Sequence, residues 1–379
     1  MKTETPVFCD VTELVGNPVR TGIQRVAREV IRNWDGSRPL RLCRFDANRD
    51  GLVELPKAAT YYLTEPDDET RSASTAELRE RLAELISSHT GKSVPFAATI
   101  LIPEVFFDEL RCRHYFWRIS HHPENIYALF FDFIPWLYPD LIGVQRSHPL
   151  MWYVRFAQLV QNAAFISHAT ERDWAERILR KGDRSGKVLP LGADGLRANR
   201  QTFKKSKRAF VAVGSIDGRK NQLAIVKAFE KLWAEGMSVD LTLVGSVFEA
   251  EKSVRAEIDQ YVGHPHFKHV ERATDDELGE ILSSARATIY ASTIEGYGLP
   301  PVESLYAGIP CIVSKRVPSV ANLSGGLHFL DEATPEEIEA QVRALMVDSE
   351  AEKVWKEAAK VKLPTWKSFG SATAEWVDT

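Results

Sequence analysis

Residues 208–314 alternate between short apolar runs and amphipathic segments, and this alternation limits the fold more than any other feature of the chain. The runs within Arg208 to Ile216, Val239 to Val244, Ala287 to Ala291 and Ile309 to Ser314 have the length and composition of buried parallel strands. Repeated strand–helix units form a parallel sheet with helices on both faces. The pattern therefore predicts an α/β fold.

Capping residues mark the helices between these strands. Asn221 to Gly236 and Glu249 to Tyr261 are predicted helices, and Gly236 is a typical C-terminal stop. Thr274 and Thr334 each precede a glutamate by three residues, which is the capping-box spacing that begins a helix. The helix after Thr274 is expected to run to Ala285.

The first half of the chain contains the same kinds of element in a less regular order. Its predicted strands are Val7 to Val11, Thr99 to Pro103, Ile126 to Phe131 and Ala163 to Ile166. Its predicted helices are Thr21 to Trp34, Asp67 to Ser88 and Glu171 to Lys181. The segment from Leu191 to Arg208 is the predicted linker, so ligands are expected in a cleft between two sheet domains, at the carboxyl ends of strands.

Length and composition narrow the functional classes. A chain of 379 residues fits two domains, and its net charge of -4 argues against a dedicated nucleic-acid binder. No apolar run has the length of a membrane-spanning helix, and the start lacks the apolar core of a signal peptide. The four scattered cysteines are expected to be reduced, mostly buried thiols. These features predict a cytoplasmic protein.

The stretch from Ile289 to Gly308 carries the strongest functional signal. It predicts a strand, then a glycine loop with Glu295, then a helix opened by Pro300 and Pro301 that carries Glu303. Free N–H groups at a loop and a helix start suit a phosphate, whereas two carboxylates would repel it and better suit hydroxyl groups. A ligand that carries both an anionic group and several hydroxyl groups would be a nucleotide sugar.

The pattern E-G-Y-G-L-P-P-x-E resembles the retaining glycosyltransferase family four. The resemblance implies two Rossmann-like domains facing across a cleft (the GT-B fold), with residues 196–364 binding the donor and residues 1–195 plus 365–379 binding the acceptor. It also implies that Glu303 hydrogen-bonds the donor ribose. Glu295 and the backbone amides of the next four residues would hold the sugar hydroxyls; these residues are Gly296, Tyr297, Gly298 and Leu299.

A second signal, G-S-I-D-G-R-K-N from Gly214 to Asn221, resembles the donor-phosphate segment of the family. Lys220 falls on the phosphate-binding lysine. Ser215 stands where many members have an arginine, so Arg219 is the candidate substitute. Both cations would stabilise the departing diphosphate. Solvated cations before an exposed helix are the alternative explanation.

A third signal lies at Thr21-Gly22, before a predicted helix. The family places a glycine loop here that closes over the donor phosphates, and Gly22 would allow the close approach of a backbone. Arg25 would face the cleft or form a surface salt bridge. On the donor side, the segment from Val270 to Arg272 is a weaker candidate for the base pocket.

Two further segments resemble the acceptor side of the family. Asp132 follows a predicted strand where members have H-D-x-x-P, but Phe131 replaces the histidine. Asp132 would bind an acceptor hydroxyl or cap the following turn. His168, in S-H-A-T, would contact the sugar or the acceptor. The alternative is that it has a purely structural role. Pro364 to Trp376 resembles the closing helix that returns to the first domain.

Metal dependence is not expected. His264, His266 and His269 lie close together, but no carboxylate or cysteine signature accompanies them, and no D-x-D motif follows a strand. Lys220 and the helix start would neutralise the diphosphate instead. Arg111 to Arg118 alternates cations with aromatics, which suits either a membrane interface or core packing with arginines whose charged ends reach out of the core.

The resemblance implies a metal-independent hexosyltransferase. Its donor would be GDP-mannose or a GDP-deoxyhexose, with a UDP-sugar as the alternative, and its acceptor a lipid-linked surface glycan such as O-antigen at the inner membrane face. A nucleotide-sugar 2-epimerase and a non-catalytic sugar-nucleotide-binding protein remain alternatives. A dehydrogenase is not expected, because no G-x-G-x-x-G follows the early strands.

Overall fold

The computed structural model describes residues 5–141, 150–180, 184–196, 199–247 and 252–379. The chain divides into two compact units: unit 1 is Met1–Leu191 with Thr365–Thr379, and unit 2 is Gly192–Pro364. Lys181, Arg197 and Glu249, which bounded predicted elements, lie outside the described residues. Each unit is built on its own sheet.

The sheet of unit 1 has seven described strands in the order β3-β2-β1-β4-β5-β6-β7. All neighbours are parallel except β2 and β3, which are antiparallel. The strands are β1 Val7–Asp10, β2 Leu40–Asp46, β3 Gly51–Glu54, β4 Thr99–Ile102, β5 Ile126–Phe130, β6 Asn162–Phe165 and β7 Lys187–Val188.

Helices cover both faces of this sheet. They are α1 Thr12–Gly16, α2 Gly22–Arg32, α3 Lys57–Thr64, α4 Asp68–Ser72, α5 Thr75–Ser87, α6 Glu109–His121, α7 Ile134–Leu137, α8 Leu150–Leu159 and α9 His168–Asp173. A π-helical turn, Trp174–Ile178, continues α9, and 3-10 turns occupy Pro123–Asn125 and Pro139–Leu141.

Unit 2 has six described strands in the order β10-β9-β8-β11-β12-β13, all parallel. They are β8 Ala209–Val213, β9 Asp240–Val244, β10 Phe267–Val270, β11 Ala285–Tyr290, β12 Cys311–Ser314 and β13 Leu327–Leu330. Its helices are α10 Gln222–Ala234, α11 Lys252–Asp259, α12 Asp275–Ser284, α13 Leu299–Tyr306, α14 Pro335–Met346 and α15 Asp348–Ala358. Gly218–Lys220 and Pro318–Val320 are 3-10 turns.

The predicted α/β alternation is confirmed in unit 2. Every residue of β11 is buried, as expected for a central parallel strand covered on both faces. Thr274 and Glu277 form the predicted capping box at the start of α12, and the Thr334 side chain caps α14. Gly236, with a φ of 81°, follows α10 as its stop.

Some elements differ from the sequence prediction. The predicted helix over Asp67 to Ser88 is two helices, because Ser74 caps a new helix through a capping box with Glu77. The strands β2, β3, β7, β10 and β13 were not predicted. β2 and β10 carry charged or histidine side chains on exposed or half-buried positions, so neither gives the continuous apolar run of a central strand.

The closing helix α16, Trp366–Asp378, belongs to unit 1 and packs on α2. The approach is close at Gly370, where an added Cβ would lie 2.4 Å from the backbone oxygen of Asn33. Trp366 and Phe369 are buried as predicted, whereas Ala372 and Trp376 are only half-buried. The predicted return of this helix to the first domain is confirmed.

All four cysteines are buried and none is in a disulfide, as the sequence predicted. None of the helices in the described ranges has the length and apolar character that a membrane crossing requires.

Candidate active site

Two glycines bring together the loops that follow β8 and β9 in unit 2. Gly214 and Gly245 have φ angles of 140° and 144°, which side chains rarely adopt. An added Cβ on Gly245 would lie 2.0 Å from the Gly214 carbonyl oxygen. The two glycines therefore let these backbones meet at the carboxyl edge of the sheet, where parallel α/β sheets bind ligands.

The loop after β8 turns sharply and presents Lys220. The Asp217 carboxylate accepts hydrogen bonds from the Arg219 amide (3.0 Å) and the Lys220 amide (3.2 Å), which caps the 3-10 turn. The Arg219 carbonyl accepts a 2.8 Å bond from the Thr293 amide in the loop after β11. These bonds fix the Lys220 backbone relative to the end of β11.

Lys220, Tyr290 and Glu295 form one cluster. The Lys220 ammonium lies 2.5 Å from Glu295 Oε1, and it also donates to the Tyr290 hydroxyl. That hydroxyl donates to the same carboxylate oxygen at 2.8 Å. The ammonium sits 4.8 Å from the centroid of the tyrosine ring, in the range of a cation–π contact. The Lys220 and Glu295 side chains are 13% and 11% exposed, so this charge pair is largely withdrawn from solvent.

Burial and the Glu295 carboxylate raise the pKa of Tyr290 well above its ordinary value. The phenol therefore keeps its proton and acts as the donor to Glu295. Arg219, the predicted second cation, has its guanidinium 3.1 Å from the Asp217 carboxylate of its own turn. Ser215 is exposed, and its hydroxyl points to Asp217 at 3.4 Å.

The glycine loop from Gly296 to Leu299 is fixed by backbone contacts. Gly298 has a φ of 89°, and an added Cβ would lie 2.4 Å from Val317 Cγ1. The Ser319 hydroxyl donates to the Gly298 carbonyl at 2.6 Å, and the Ser319 amide donates to Tyr297 at 2.9 Å.

The helix after this loop has prolines in its first turn as predicted, but it begins one residue earlier than expected. α13 begins at Leu299 rather than at a proline, and its next two residues, Pro300 and Pro301, have no N–H. Amide donors at this end of the helix therefore come from Leu299 and the loop residues 296–298, because residues 300 and 301 have none.

Glu303 is buried, with 6% of its surface exposed, one turn into α13. It lines a narrow cavity of about 20 Å³ whose other walls are mainly apolar. They include Val213, Leu278, Leu282, Tyr290, Pro300 and Pro301. Arg272, the predicted base-pocket residue, is exposed just beyond β10 and is not part of this lining.

Gly22, the predicted phosphate contact of unit 1, and Arg25, predicted for the sugar or acceptor side, lie at the start of α2. Gly22 is the first residue of the helix, and an added Cβ would meet no atom within 4 Å. The structure of unit 1 itself therefore does not require a glycine there. The Arg25 guanidinium lies 5.9 Å from the ring centroid of Trp366, so it packs on the closing helix of the same unit.

Asp132 and His168 occupy different environments in unit 1. Asp132 Oδ1 accepts a 3.0 Å bond from the Ile134 amide, which is the turn-capping contact. Phe131, in place of the family histidine, is buried, and its carbonyl accepts from the Thr170 hydroxyl at 3.0 Å. His168 is exposed at the start of α9, whose cap is the neighbouring Ser167.

Sequence reasoning missed a buried charge cluster at the carboxyl ends of β1 and β4. Arg111 Nη2 lies 2.8 Å from Asp10 and 3.2 Å from Glu104, and Nη1 lies 3.2 Å from Glu13. The Tyr115 hydroxyl also donates to Asp10. Acidic residues at or just beyond the ends of two neighbouring parallel strands, Asp10 and Glu104, were the signal that could have revealed it.

The Glu104 carboxylate holds the start of α1, since it accepts bonds from the amides of Glu13 (2.9 Å) and Leu14 (2.8 Å). Burial, reinforced by the charge of Asp10, raises the pKa of Glu104 to about 7 despite the nearby Arg111.

The Arg111 to Arg118 stretch has two faces. Arg111 and Arg118 are each 1% exposed, and Arg118 donates to the carbonyls of Pro95 (3.1 Å) and Phe96 (2.8 Å). Trp117 is 60% exposed on the opposite side. Both arginines therefore pack in the core, but their charged ends are buried in an ion pair or in hydrogen bonds to carbonyls, and do not reach out of the core as predicted.

Tyr290 was the other omission. Its signal was a hydroxyl at the end of a predicted buried strand, five residues before Glu295. No group of three or more histidine, cysteine, aspartate or glutamate side chains that could hold a metal occurs among the described residues.

Residues 197–362 match the family described as "Glycosyl transferases group 1". The chain is 24% identical over 340 residues to a serotype-specific mannosyltransferase, WbdA of Escherichia coli, a match that covers 81% of this chain and 38% of that protein. A shorter match, also at 24% identity, covers 40% of this chain and 39% of the O-antigen chain mannosyltransferase B of Escherichia coli. The chain thus spans less than half the length of these relatives.

Solved structures share the fold. Anabaena Alr3699/HepE in complex with UDP and glucose superposes with a TM-score of 0.65 at 12% identity, covering 99% of this chain and 100% of that one. Sucrose-phosphate synthase from Thermosynechococcus elongatus gives a TM-score of 0.64 at 12% identity, covering 98% of each chain. The predicted fold of two Rossmann-like domains is confirmed.

Proposed function

We propose that this chain, a group 1 glycosyltransferase of a retaining hexosyltransferase family, transfers mannose or a related hexose from a GDP-linked donor to a growing surface glycan. The observation that carries the proposal is the Lys220–Tyr290–Glu295 cluster at the carboxyl ends of β8 and β11. It places a cation for a diphosphate beside a carboxylate for hydroxyl groups, within the residues that match the family.

Lys220 is the proposed ligand of the donor diphosphate. A largely buried ammonium is more strongly attracted to an anion than an exposed one, because little solvent screens it. Its charge would also stabilise the diphosphate as leaving group. Arg219 would add a second positive charge near the diphosphate, although the Asp217 carboxylate partly neutralises it.

Glu295 and the amides of residues 296–299 are the proposed ligands of the transferred sugar. The φ of Gly298 and its contact with Val317 fix this loop before any ligand binds. Glu303 would accept from the ribose hydroxyls. The segment from Val270 to Arg272 is the proposed base pocket, because the cavity beside Glu303, at about 20 Å³, has room for about one water molecule and not for a nucleoside.

The residues singled out in unit 1 complete the proposal. The Gly22 amide would approach the diphosphate, while Arg25, Asp132 and His168 would lie on the sugar or acceptor side. In a retaining transfer of this class, the departing phosphate oxygen would take the proton of the acceptor hydroxyl on the same face. No protein nucleophile is assigned, and the reaction is proposed to be metal-independent.

The choice of GDP rests on the relatives, which are named as mannosyltransferases. UDP is the second candidate, because a protein of the same fold was solved with UDP and glucose. A thermal-shift screen with GDP, UDP, ADP and their sugars separates the two. A ligand at about one hundred times its dissociation constant stabilises by roughly 2.7 kcal/mol, which such a screen resolves. If no nucleotide raises the melting temperature, the proposed site is wrong.

A turnover assay then tests transfer. The expected products of GDP-mannose and a lipid-linked glycan are GDP and an extended glycan. A new sugar nucleotide formed from the donor alone would instead identify an epimerase. Binding without turnover of any acceptor would identify a non-catalytic protein.

We also propose that the acceptor is reached at a membrane surface, on the cytoplasmic side, through the outer face of α6. Trp117, Leu110 and the neighbouring Phe107 are 60%, 48% and 45% exposed there, and Arg113 adds a cation. Aromatic and basic side chains together suit the interface of a bilayer with anionic lipids. Co-sedimentation with anionic vesicles should fall in Trp117→Ala, and equal binding by both proteins would refute this contact.

A further inference from the structure

We propose that Tyr290 is a positioning residue of the donor site: its hydroxyl holds the Glu295 carboxylate in place when Lys220 turns to the diphosphate of a bound sugar nucleotide. The inference rests on the proposed function and adds a residue to it. No motif of the sequence pointed to Tyr290, and its role follows from three contacts in unit 2.

In the ligand-free arrangement, Glu295 Oε1 is shared by two donors. The Lys220 ammonium lies 2.5 Å from it and the Tyr290 hydroxyl 2.8 Å from it. Lys220 also donates to the tyrosine oxygen, so the single phenolic proton is directed to Glu295. The two charges neutralise each other while the site is empty.

Binding of a diphosphate separates Lys220 from Glu295. The two negative charges of the diphosphate attract Lys220 more strongly than the single charge of Glu295 does. Glu295 then loses its cation, although its side chain is only 11% exposed. The bond from Tyr290 remains and satisfies one carboxylate oxygen, so that the other is available to sugar hydroxyls.

Tyr290 is suited to this role because it is the rigid member of the cluster. It ends β11, which is paired with β12 through Tyr290 itself, whereas Lys220 lies on a 3-10 turn and Glu295 on a loop. The whole residue is 4% exposed. Its hydroxyl is therefore a fixed point from which the carboxylate can be oriented.

The test is Tyr290→Phe, which keeps the ring under Lys220 and removes only the hydroxyl. The matched control is Tyr153→Phe, because Tyr153 is 3% exposed and its hydroxyl has no hydrogen-bond partner among the described residues. Isothermal titration calorimetry gives the dissociation constants of GDP and GDP-mannose, with UDP and UDP-glucose in parallel. The ratio of the nucleotide constant to the sugar-nucleotide constant measures what the sugar adds to binding.

We expect Tyr290→Phe to lower this ratio by about tenfold, the worth of one hydrogen bond to a charged group, while nucleotide binding alone changes little. Tyr153→Phe should leave both constants unchanged. A general structural defect would weaken the nucleotide and the sugar nucleotide equally, and that result would overturn the inference. So would an unchanged ratio in Tyr290→Phe alongside a lowered ratio in Glu295→Gln. A wild-type protein that binds neither nucleotide would overturn the proposed function and this inference together.

Discussion

Arg111 and Asp10 form an ion pair of 2.8 Å in which the arginine side chain is 1% exposed and the aspartate fully buried. The same guanidinium also forms ion pairs with Glu104 and Glu13, so one cation contacts three acidic side chains. Glu104 in turn holds the first amides of α1. This cluster therefore ties the ends of β1 and β4 to α1 and α6.

Removing that cation should destabilise unit 1 strongly. We expect Arg111→Met to lower the free energy of unfolding by about 3–5 kcal/mol, because it leaves buried carboxylates without a partner. Arg113→Met is the control on the same helix, since the Arg113 side chain is 66% exposed and should matter by less than about 0.5 kcal/mol. Urea unfolding measures both, and equal stability of the two variants would contradict the assigned role of the cluster.

Glu104 should make stability depend on pH. Its pKa is about 7 in the folded protein, against an ordinary value of 4.5. Between these values the folded state keeps the proton and the unfolded state releases it, so stability should fall as the pH rises from about 4.5 to about 7. Urea unfolding at pH 5 and pH 8 should show a smaller loss in Glu104→Gln, whose amide cannot ionise. Identical losses in the two proteins would show that Glu104 does not titrate in this window.

Lys220 should be required for nucleotide binding. Lys220→Ala removes the cation of the cluster, and we expect affinity for the nucleoside diphosphate to fall by about 2–3 kcal/mol in calorimetry. Lys231→Ala is the control, because that side chain is 45% exposed and pairs with Glu336 on the surface of the same unit. Unchanged binding in Lys220→Ala would remove this residue from the phosphate site.

Gly22 should separate function from stability. An alanine there has open space and begins a helix, so Gly22→Ala should leave the melting temperature unchanged or raise it slightly. If the Gly22 backbone closes over the diphosphate, the same change should lower kcat/KM by about tenfold or more, because the methyl group would keep that backbone from the anion. Full activity with full stability would rule out the predicted phosphate contact.

Gly298 provides the opposite case. Its φ of 89° and its contact with Val317 mean that Gly298→Ala should lower stability as well as sugar-nucleotide affinity. A loss of about 1–3 kcal/mol in urea unfolding is expected for a side chain forced into this backbone conformation. A fully stable Gly298→Ala protein would show that the loop can relax.

Much of unit 2 could be predicted from the sequence because its elements have local signatures. Each of these signatures spans only a few neighbouring residues. Examples are the apolar runs of β8, β9 and β11, the capping box at Thr274 and the stop at Gly236. The edge strand β10 escaped prediction because Lys268 and His269 interrupt its apolar pattern, with Lys268 exposed and His269 half-buried.

The candidate site was predictable residue by residue but not as an arrangement. Lys220 and Glu295 lie in segments that resemble family motifs, so they could be chosen from the sequence. Their direct ion pair, and the hydrogen bonds that both make to Tyr290, could not be predicted. Arg111 shows the same limit, because a sequence of alternating cations and aromatics fits a surface and a core equally well. Its burial depends on carboxylates about a hundred residues away along the chain.

The sequence by itself determined the α/β class, the strand ends that carry glycines, and the motif residues that resemble those of group 1 glycosyltransferases. These depend on periodicity, capping and backbone freedom, which are properties of neighbouring residues. Only the tertiary structure decided that Lys220 meets Glu295 over the ring of Tyr290, and that Arg111 turns inward. Such pairings depend on which strands lie side by side, because burial strengthens a charge contact only after distant segments have excluded water from it.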